Sequence, residues 1–200
     1  MFRKLLRSLL ILLSFLIKPE KADADDKIDV VALREVVEML CSNDKSLMDE
    51  VFLALQKPEK YFAKFTEELN ERGIEESEEV DYWLALIDGL QRRHCLVDVD
   101  WKNTGADLAW NLKQLRTSDI HKLDWTKLEK IAPNSTYTSE LADEVEQVLK
   151  PAKLTAIFLV YSGDSYALSF VETSKLRTLQ SAAHKLDQNI EIFDKNAGDK

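Results

Sequence analysis

Two acidic residues one position apart are the best candidates for chemistry in this sequence. Asp98 and Asp100 lie in an alternating run, 95–101, which predicts a strand with both carboxylates on one face. Asp164 lies in a predicted turn and could act as a third ligand. Such carboxylates could bind a divalent metal or act as an acid and base pair, as in a metal-assisted hydrolase. The alternative is that alternation simply places Asp98 and Asp100 on the solvated face.

Other catalytic and cofactor motifs are absent from the sequence. The histidines at 94, 121 and 184 follow no zinc-binding spacing. A serine at 162, 165 or 169 could be combined with His184 and an aspartate as a triad, but there is no G-x-S-x-G motif. The five glycines build neither a phosphate-binding loop nor a dinucleotide fingerprint. We therefore expect no cofactor and no bound metal, and the sequence argues against an enzyme.

Four aromatic residues are candidates for lining a ligand groove, namely Trp101, Trp110, Tyr161 and Tyr166. The simpler alternative is that they pack in the core and across strands. The two cysteines, Cys41 and Cys95, could form one disulfide if the protein is exported. Both lie on apolar faces, however, where a reduced core cysteine is commoner.

The charge of the chain is unevenly distributed. Residues 1–18 contain four of the 27 basic residues and no acidic residue, which leaves 23 basic against 36 acidic residues in the remainder. The body therefore carries −13, compared with −9 for the whole chain. Because nucleic-acid phosphates require clustered Lys and Arg, we expect no nucleic acid partner. The charge favours a basic protein partner, or simply solubility.

The first 24 residues are predicted to be a targeting or anchoring segment. A basic start precedes an apolar run from Leu9 to Ile17, and Ala22 and Ala24 form the small-residue pattern of a cleavage site. The charged stretch 18–21 is unusual for a segment that a signal peptidase reads. Three alternatives remain: a cleaved export signal, an anchor with membrane association through residues 1–18, or an ordinary helix. The first two imply an exported, periplasmic or membrane-anchored protein, and the third a cytoplasmic one.

The strongest structural signal lies in the C-terminal part of the chain. It predicts a strand at 154–161 covered on both faces, a hairpin to a strand at 165–171, a helix at 174–187 and a strand at 189–193. A right-handed crossover would leave the last strand parallel to 165–171 and beside 154–161, which becomes central.

The hairpin turn is predicted at Gly163-Asp164, a pair suited to a two-residue loop. If Ser162 faces Ser165, then Leu159 pairs with Leu168. That register places Tyr161, Tyr166 and Phe170 on one face of the hairpin, and we expect this aromatic-rich face to be the main core face.

Upstream of the hairpin, the chain is predicted to be mainly helical. Apolar stripes predict helices opening near Val30, Ser46, Pro58, Val80, Thr104 and Thr138. The run 95–101 is predicted to be a fourth strand. The fold class is α+β, with N-terminal helices packed on a small mixed β-sheet and a C-terminal β-hairpin–helix–strand unit. Residues 25–29 are predicted to be a linker, 30–194 a single domain, and 195–200 a disordered tail.

A set of short motifs resembles an uncharacterised bacterial domain family of unknown function, over roughly residues 30–194. These motifs are Lys60-Tyr61-Phe62, Leu69-Asn70-Glu71-Arg72-Gly73, a helix with Trp83, Val99-Asp100-Trp101-Lys102, Ala109-Trp110-Asn111-Leu112, and Gly163-Asp164-Ser165-Tyr166-Ala167-Leu168. The resemblance implies a bacterial origin and a compact α+β domain, and it carries over no catalytic residue.

Two functional hypotheses follow from the sequence. The first is a non-enzymatic binding or interaction module whose acidic surface meets a basic protein partner. The second is a metal-assisted hydrolase that uses Asp98 and Asp100, with Asp164 as a third ligand. The second requires the three carboxylates to converge in one pocket.

Overall fold

The computed structural model of the chain describes residues 28–42, 44–131, 137–161 and 165–197. The predicted signal or anchor segment, residues 1–24, and the Gly163-Asp164 turn lie outside these ranges. Within them, no helix is both long enough and apolar enough to cross a membrane. Asp29, predicted to be in a linker, belongs to the domain, because its carboxylate accepts hydrogen bonds from the Val31 and Ala32 N–H groups and caps the first helix.

Helices form the first half of the domain. Pro58 opens a helix as predicted, but the segment from Pro58 to Gly73 forms two helices, because Phe65 leaves helical geometry with φ −122°. Gly73, which follows the second of these helices, has φ 78°, the left-handed conformation that favours glycine at a helix end. Asp44 rather than Ser46 caps the second helix. The helices are α1 Val30–Cys41, α2 Lys45–Gln56, α3 Pro58–Lys64, α4 Thr66–Glu71 and α5 Tyr82–Arg92.

The second half of the domain contains the strands and shorter helices. They are β1 Val97–Asp100, α6 Gly105–Lys113, α7 Arg116–His121, α8 Thr126–Glu129, α9 Ala142–Leu149, β2 Leu154–Leu159, β3 Ser165–Glu172, α10 Leu176–His184 and β4 Ile190–Ile192. Thr104 caps α6 and exchanges hydrogen bonds with Asp107 in a capping box, as its sequence position predicts. The α+β class is confirmed.

The four strands form one sheet in the order β1-β3-β2-β4. The predicted placement of β2 between β3 and β4 is confirmed, as is the addition of β1 as a fourth strand. The predicted mixed character of the sheet is wrong, because all three neighbouring pairs are antiparallel. The crossover through α10 does run β4 in the same direction as β3, but β2 lies between them.

The register of the β2–β3 hairpin differs from the prediction by one residue. Phe158 rather than Leu159 pairs with Leu168, and Ala156 pairs with Phe170. Five residues separate the end of β2 at Leu159 from the start of β3 at Ser165, so the connection is longer than a two-residue loop. Because side chains alternate along a strand, this shift moves the predicted partners to opposite faces of the sheet.

The sheet separates two apolar cores. One face carries Ile157, Leu159 and Val171, which pack with helices α1, α2, α5 and α10. The other carries Phe158, Leu168 and Phe170, which pack with α6, α8 and α9. Both faces of β2 are therefore buried, as its continuous apolar run predicts.

A disulfide joins Cys41, at the end of α1, to Cys95, just before β1. We expected the commoner reduced state, which the structure contradicts. Both cysteines lie in the first core, where their Cα atoms are 5.6 Å apart, a separation typical of disulfides. The bond closes a loop between positions 54 residues apart in sequence and ties an edge strand to the helical layer.

Two further expectations at the margins of the sheet are corrected. Trp101, included in the predicted strand 95–101, lies beyond the end of β1 and is 38% exposed. The predicted disordered tail begins at residue 195, yet Ala197 is buried and its carbonyl accepts a hydrogen bond from the Tyr166 hydroxyl at 2.8 Å. Residues 198–200 lie outside the described ranges.

Candidate functional site

The polar site of this domain is built around Asp98 on β1. Alternation buries Val97 and Val99 in the second core, so Asp98 lies on the opposite face of the strand. Its carboxylate accepts hydrogen bonds from the Ser165 hydroxyl at 2.5 Å and from the Tyr161 hydroxyl at 3.0 and 3.2 Å. The hydroxyls of Tyr161 and Ser165 are themselves 2.6 Å apart.

Arg72 connects this network to the helical layer. It caps the C-terminus of α4, next to the left-handed Gly73. Its guanidinium lies 2.7 Å from the carboxylate of Asp88 on α5 and 3.3 Å from that of Asp98. It also donates to the Gln91 side-chain oxygen at 3.2 Å and lies 5.7 Å from the centre of the Tyr161 ring. Two carboxylates, an amide oxygen and an aromatic ring thus hold one guanidinium.

Burial dominates the electrostatics of these groups. Only 5% of the Asp88 side chain is exposed, and desolvation raises its pKa despite the charge of Arg72. Burial also raises the pKa of the Tyr161 hydroxyl above its ordinary value, so it is a neutral phenol at neutral pH. Desolvation is the largest single effect and would lower the pKa of the Arg72 guanidinium, but Asp88, Tyr161 and Asp98 together outweigh it and the pKa is raised. The Arg72 charge is therefore permanent.

A cavity of about 560 Å³ opens on this network and is lined by Asp98, Tyr161 and Ser165. Trp83 backs it, fixed by a 3.0 Å hydrogen bond from its indole N–H to a backbone carbonyl. Its rim carries three exposed carboxylates, those of Glu71, Glu79 and Asp81. We call this cavity the Arg72 cleft.

Arg72 also lines a second cavity, of about 430 Å³, together with Asp88 and Gln91. Asp98 lines only the first cavity and Asp88 only the second, so Arg72 lies between the two. A group that enters the Arg72 cleft therefore meets Asp98 first.

A neighbouring ion-pair network has a structural explanation. The carboxylate of Glu50 on α2 lies 2.9 Å from the Arg92 guanidinium and 3.0 Å from the Arg93 guanidinium. The Arg93 guanidinium also lies 3.2 Å from the carboxylate of Asp44. Desolvation would raise the pKa of Glu50, but the hydrogen bonds from the two arginines outweigh it and the pKa is lowered. The two arginines therefore join α2 to the end of α5.

The three candidate carboxylates are not brought together within the described residues. Asp98 is engaged by Tyr161, Ser165 and Arg72. Asp100 is exposed, and its carboxylate accepts a 2.7 Å hydrogen bond from the Lys102 N–H. Asp164 lies outside the described ranges. Within those ranges, no group of three His, Cys, Asp or Glu side chains is placed to hold a metal ion.

The four candidate groove aromatics lie in different places. Tyr161 belongs to the Arg72 cleft, whereas Tyr166 packs in the second core on the other face of the sheet. Trp101 stacks on Tyr137 with ring centres 5.5 Å apart and also contacts the Lys102 ammonium at 4.0 Å. Trp110 is 63% exposed on α6.

The serine and histidine candidates do not form a triad. Ser165 is hydrogen-bonded to Asp98 and Tyr161, and Ser169 is buried and donates to the Cys95 carbonyl at 2.7 Å. His184 is exposed at the end of α10. Ser162 lies outside the described ranges.

Sequence reasoning missed the two residues that complete the site, Arg72 and Asp88. The available signal for Asp88 was an acid within the apolar stripe of α5, between Ile87 and Leu90. A buried acid requires a cationic or hydrogen-bonding partner. Nothing in the local sequence identified Arg72 as that partner.

The chain belongs to the family described as Domain of unknown function (DUF6630), whose model matches residues 32–193. This match confirms the resemblance to a domain family of unknown function. No curated protein and no solved structure matches the chain.

Proposed function

We propose that this domain is a non-enzymatic binding module and that the Arg72 cleft is where a basic protein partner binds. The observation that carries the proposal is the charge of the cleft. Four carboxylates, Glu71, Glu79, Asp81 and Asp98, line it against the single guanidinium of Arg72. The surplus of negative charge extends beyond the cleft, because the residues after position 18 include 36 acidic and 23 basic side chains. A complementary basic surface would be attracted and oriented by this field.

The chemistry of the cleft supports binding over catalysis. Ser165 shares hydrogen bonds with Asp98 and Tyr161, so its hydroxyl is held between an acceptor and a phenol. The raised pKa of Tyr161 makes it a poor base at neutral pH. These groups offer fixed donors and acceptors to a ligand.

The geometry does not favour the metal-assisted hydrolase. Asp98 faces an arginine at 3.3 Å, a cationic neighbour that competes with a metal ion for the same carboxylate. The Asp100 carboxylate is engaged in a local turn with Lys102. The two carboxylates on which that hypothesis depends therefore have other partners.

We also propose that the protein acts in an oxidising compartment, after export or at a membrane. The Cys41–Cys95 disulfide supports this location, since disulfides persist in such compartments and are rare in the cytosol. Mass spectrometry of protein from a native-like host tests it. A product that begins at Asp25 agrees with a cleaved signal, whereas an intact chain with free thiols in a cytosolic fraction contradicts the proposal.

The binding proposal is tested by calorimetric titration with short oligoarginine and oligolysine peptides at low and high salt. The informative variant is Glu71→Lys, because Glu71 is exposed on the rim and its carboxylate makes no hydrogen bond or ion pair within the described residues. Glu38→Lys, at an exposed position on α1, is the matched control with the same charge change. We expect affinity to fall as salt rises, because screening weakens charge attraction.

We further expect Glu71→Lys to weaken binding about fivefold more than Glu38→Lys does, an effect typical of a charge reversal within an interface. Equal losses in both variants would place binding on the general acidic surface and not in the cleft. Absence of binding to either peptide would overturn the proposed function. A pull-down at low and high salt then identifies the natural partner.

A further inference from the structure

Arg72 occupies a site that is itself built to hold a guanidinium. Its charge is shared between Asp88 and Asp98, and Gln91 accepts one further hydrogen bond. The Tyr161 ring lies 5.7 Å from its guanidinium carbon. Planar carboxylates beside an aromatic ring are the surroundings that arginine prefers over lysine. The chemistry of this site therefore already selects a guanidinium.

The two carboxylates of this site lie at different distances from Arg72. The guanidinium is 2.7 Å from Asp88 but 3.3 Å from Asp98. Asp88 and Gln91 line the second cavity, whereas Asp98 faces the Arg72 cleft. Arg72 can therefore lose Asp98 and keep its shorter contact. Asp98 would then be left with the hydroxyls of Tyr161 and Ser165, both of which stay in the cleft.

We infer that the ligand of the Arg72 cleft is an arginine side chain of the partner, which displaces Arg72 from Asp98 and takes its place there. Arg72 is thus an internal competitor that fills the site in the free protein. This inference rests on the proposed function, because it names the group of the basic partner that enters the same cleft. The rim carboxylates attract the partner, and Asp98 with the Tyr161 ring selects the guanidinium.

If Arg72 competes with the partner for Asp98, two related variants should change peptide affinity in opposite directions. Asp88→Asn removes the anchor that draws Arg72 away from Asp98, so Arg72 competes more strongly and peptide binding weakens. The double variant Arg72→Met with Asp88→Asn removes the competitor together with the buried acid that would otherwise lose its counter-ion. Peptide binding then tightens, because Arg72 no longer has to be displaced from Asp98 before the peptide can bind there.

The experiment is calorimetric titration of the full chain and both variants with oligoarginine and oligolysine peptides. We expect the double variant to bind oligoarginine about tenfold more tightly than the natural chain, as removal of a tethered competitor predicts. Asp88→Asn should bind about threefold more weakly by the same competition. Circular dichroism spectra of both variants are the check that they remain folded.

Other outcomes separate this inference from the proposed function. If both peptides bind the natural chain equally and the two variants weaken binding alike, the acidic surface binds cations but Arg72 is no competitor. If the double variant does not fold, Tyr161→Phe replaces it, since loss of the hydroxyl frees Asp98 from one donor and keeps the ring. Oligoarginine should then still bind more tightly than oligolysine, and equal affinities would overturn the inference. If neither peptide binds any variant, the proposed function fails as well.

Discussion

The disulfide between Cys41 and Cys95 should supply a large share of the stability of this domain. The informative perturbation is the double variant Cys41→Ala with Cys95→Ala. Alanine is preferable to serine here because both positions are buried, at 3% and 5% exposure, and a serine hydroxyl would lack a partner in the apolar core.

The magnitude follows from the loop that the bond closes. The two cysteines are 54 residues apart, and cross-linking an unfolded chain over that distance removes loop-closure entropy worth about 4 kcal/mol at 25 °C. Loss of the two sulfur atoms from the core adds a smaller cavity term in the same direction. For a domain of this size, we expect the midpoint of thermal unfolding to fall by roughly 10 °C.

Urea denaturation followed by circular dichroism measures the change in the free energy of unfolding. The natural chain under reducing conditions should approach the stability of the double variant, and the double variant should not respond to reductant. A double variant within about 1 kcal/mol of the oxidised natural chain would refute the loop-closure argument. It would also remove the support that the disulfide gives to an exported location.

Two further predictions concern packing and pH. An alanine Cβ at Gly105 would lie 2.4 Å from the Leu128 carbonyl oxygen, a backbone atom, so Gly105→Ala should cost about 2 kcal/mol in urea denaturation. Gly73→Ala, which meets no atom within 4 Å but needs φ 78°, should cost about 1 kcal/mol as its control, and equal small losses would contradict the packing argument. Because burial raises the pKa of Asp88 above its ordinary value of 3.8, the natural chain should gain stability relative to Asp88→Asn as the pH falls from the raised pKa towards 3.8. Denaturation at several pH values measures this difference, and a relative loss over that range would mean that Arg72 lowers the pKa instead.

The kinds and order of elements could be predicted because they depend on local patterns. Pro58, Thr104 and Gly73 each act within one or two turns of chain, and each has the role that its residue type predicts. The apolar run of β2 likewise reflects burial on both faces.

The hairpin register could not be predicted with the same security. A Gly-Asp pair favours a two-residue loop, but both faces of β2 are apolar, so the hydrophobic pattern does not penalise a shift of one residue. An apolar core covers each face of the sheet, so Phe158 and Leu159 would be buried in either register. In a strand with one solvated face, the same shift would place apolar side chains in water, so the hydrophobic pattern would specify the register.

The candidate site was predicted in part for a related reason. Asp98 and Tyr161 were identified from residue type and strand alternation, which are local properties. Arg72 contacts Asp98 from 26 positions away in sequence and Asp88 from 16, so the three side chains meet only in the folded chain. Contacts of this kind depend on tertiary structure, which no pattern in the sequence expresses. The disulfide was missed for the same reason, since Cys41 and Cys95 are 54 positions apart in sequence and meet only in the folded chain.

The energetics of Asp88 agree with the proposed binding role of the Arg72 cleft. Burying a carboxylate and a guanidinium costs several kcal/mol of desolvation, which their attraction offsets only with good geometry. A leucine at position 88 would continue the buried stripe of Ile87 and Leu90 without that cost. Arg72 could then extend into solvent, and Asp98 would keep the Tyr161 and Ser165 hydroxyls. What Asp88 adds is a second anchor that draws Arg72 away from Asp98, as the proposed displacement of Arg72 by a partner arginine requires.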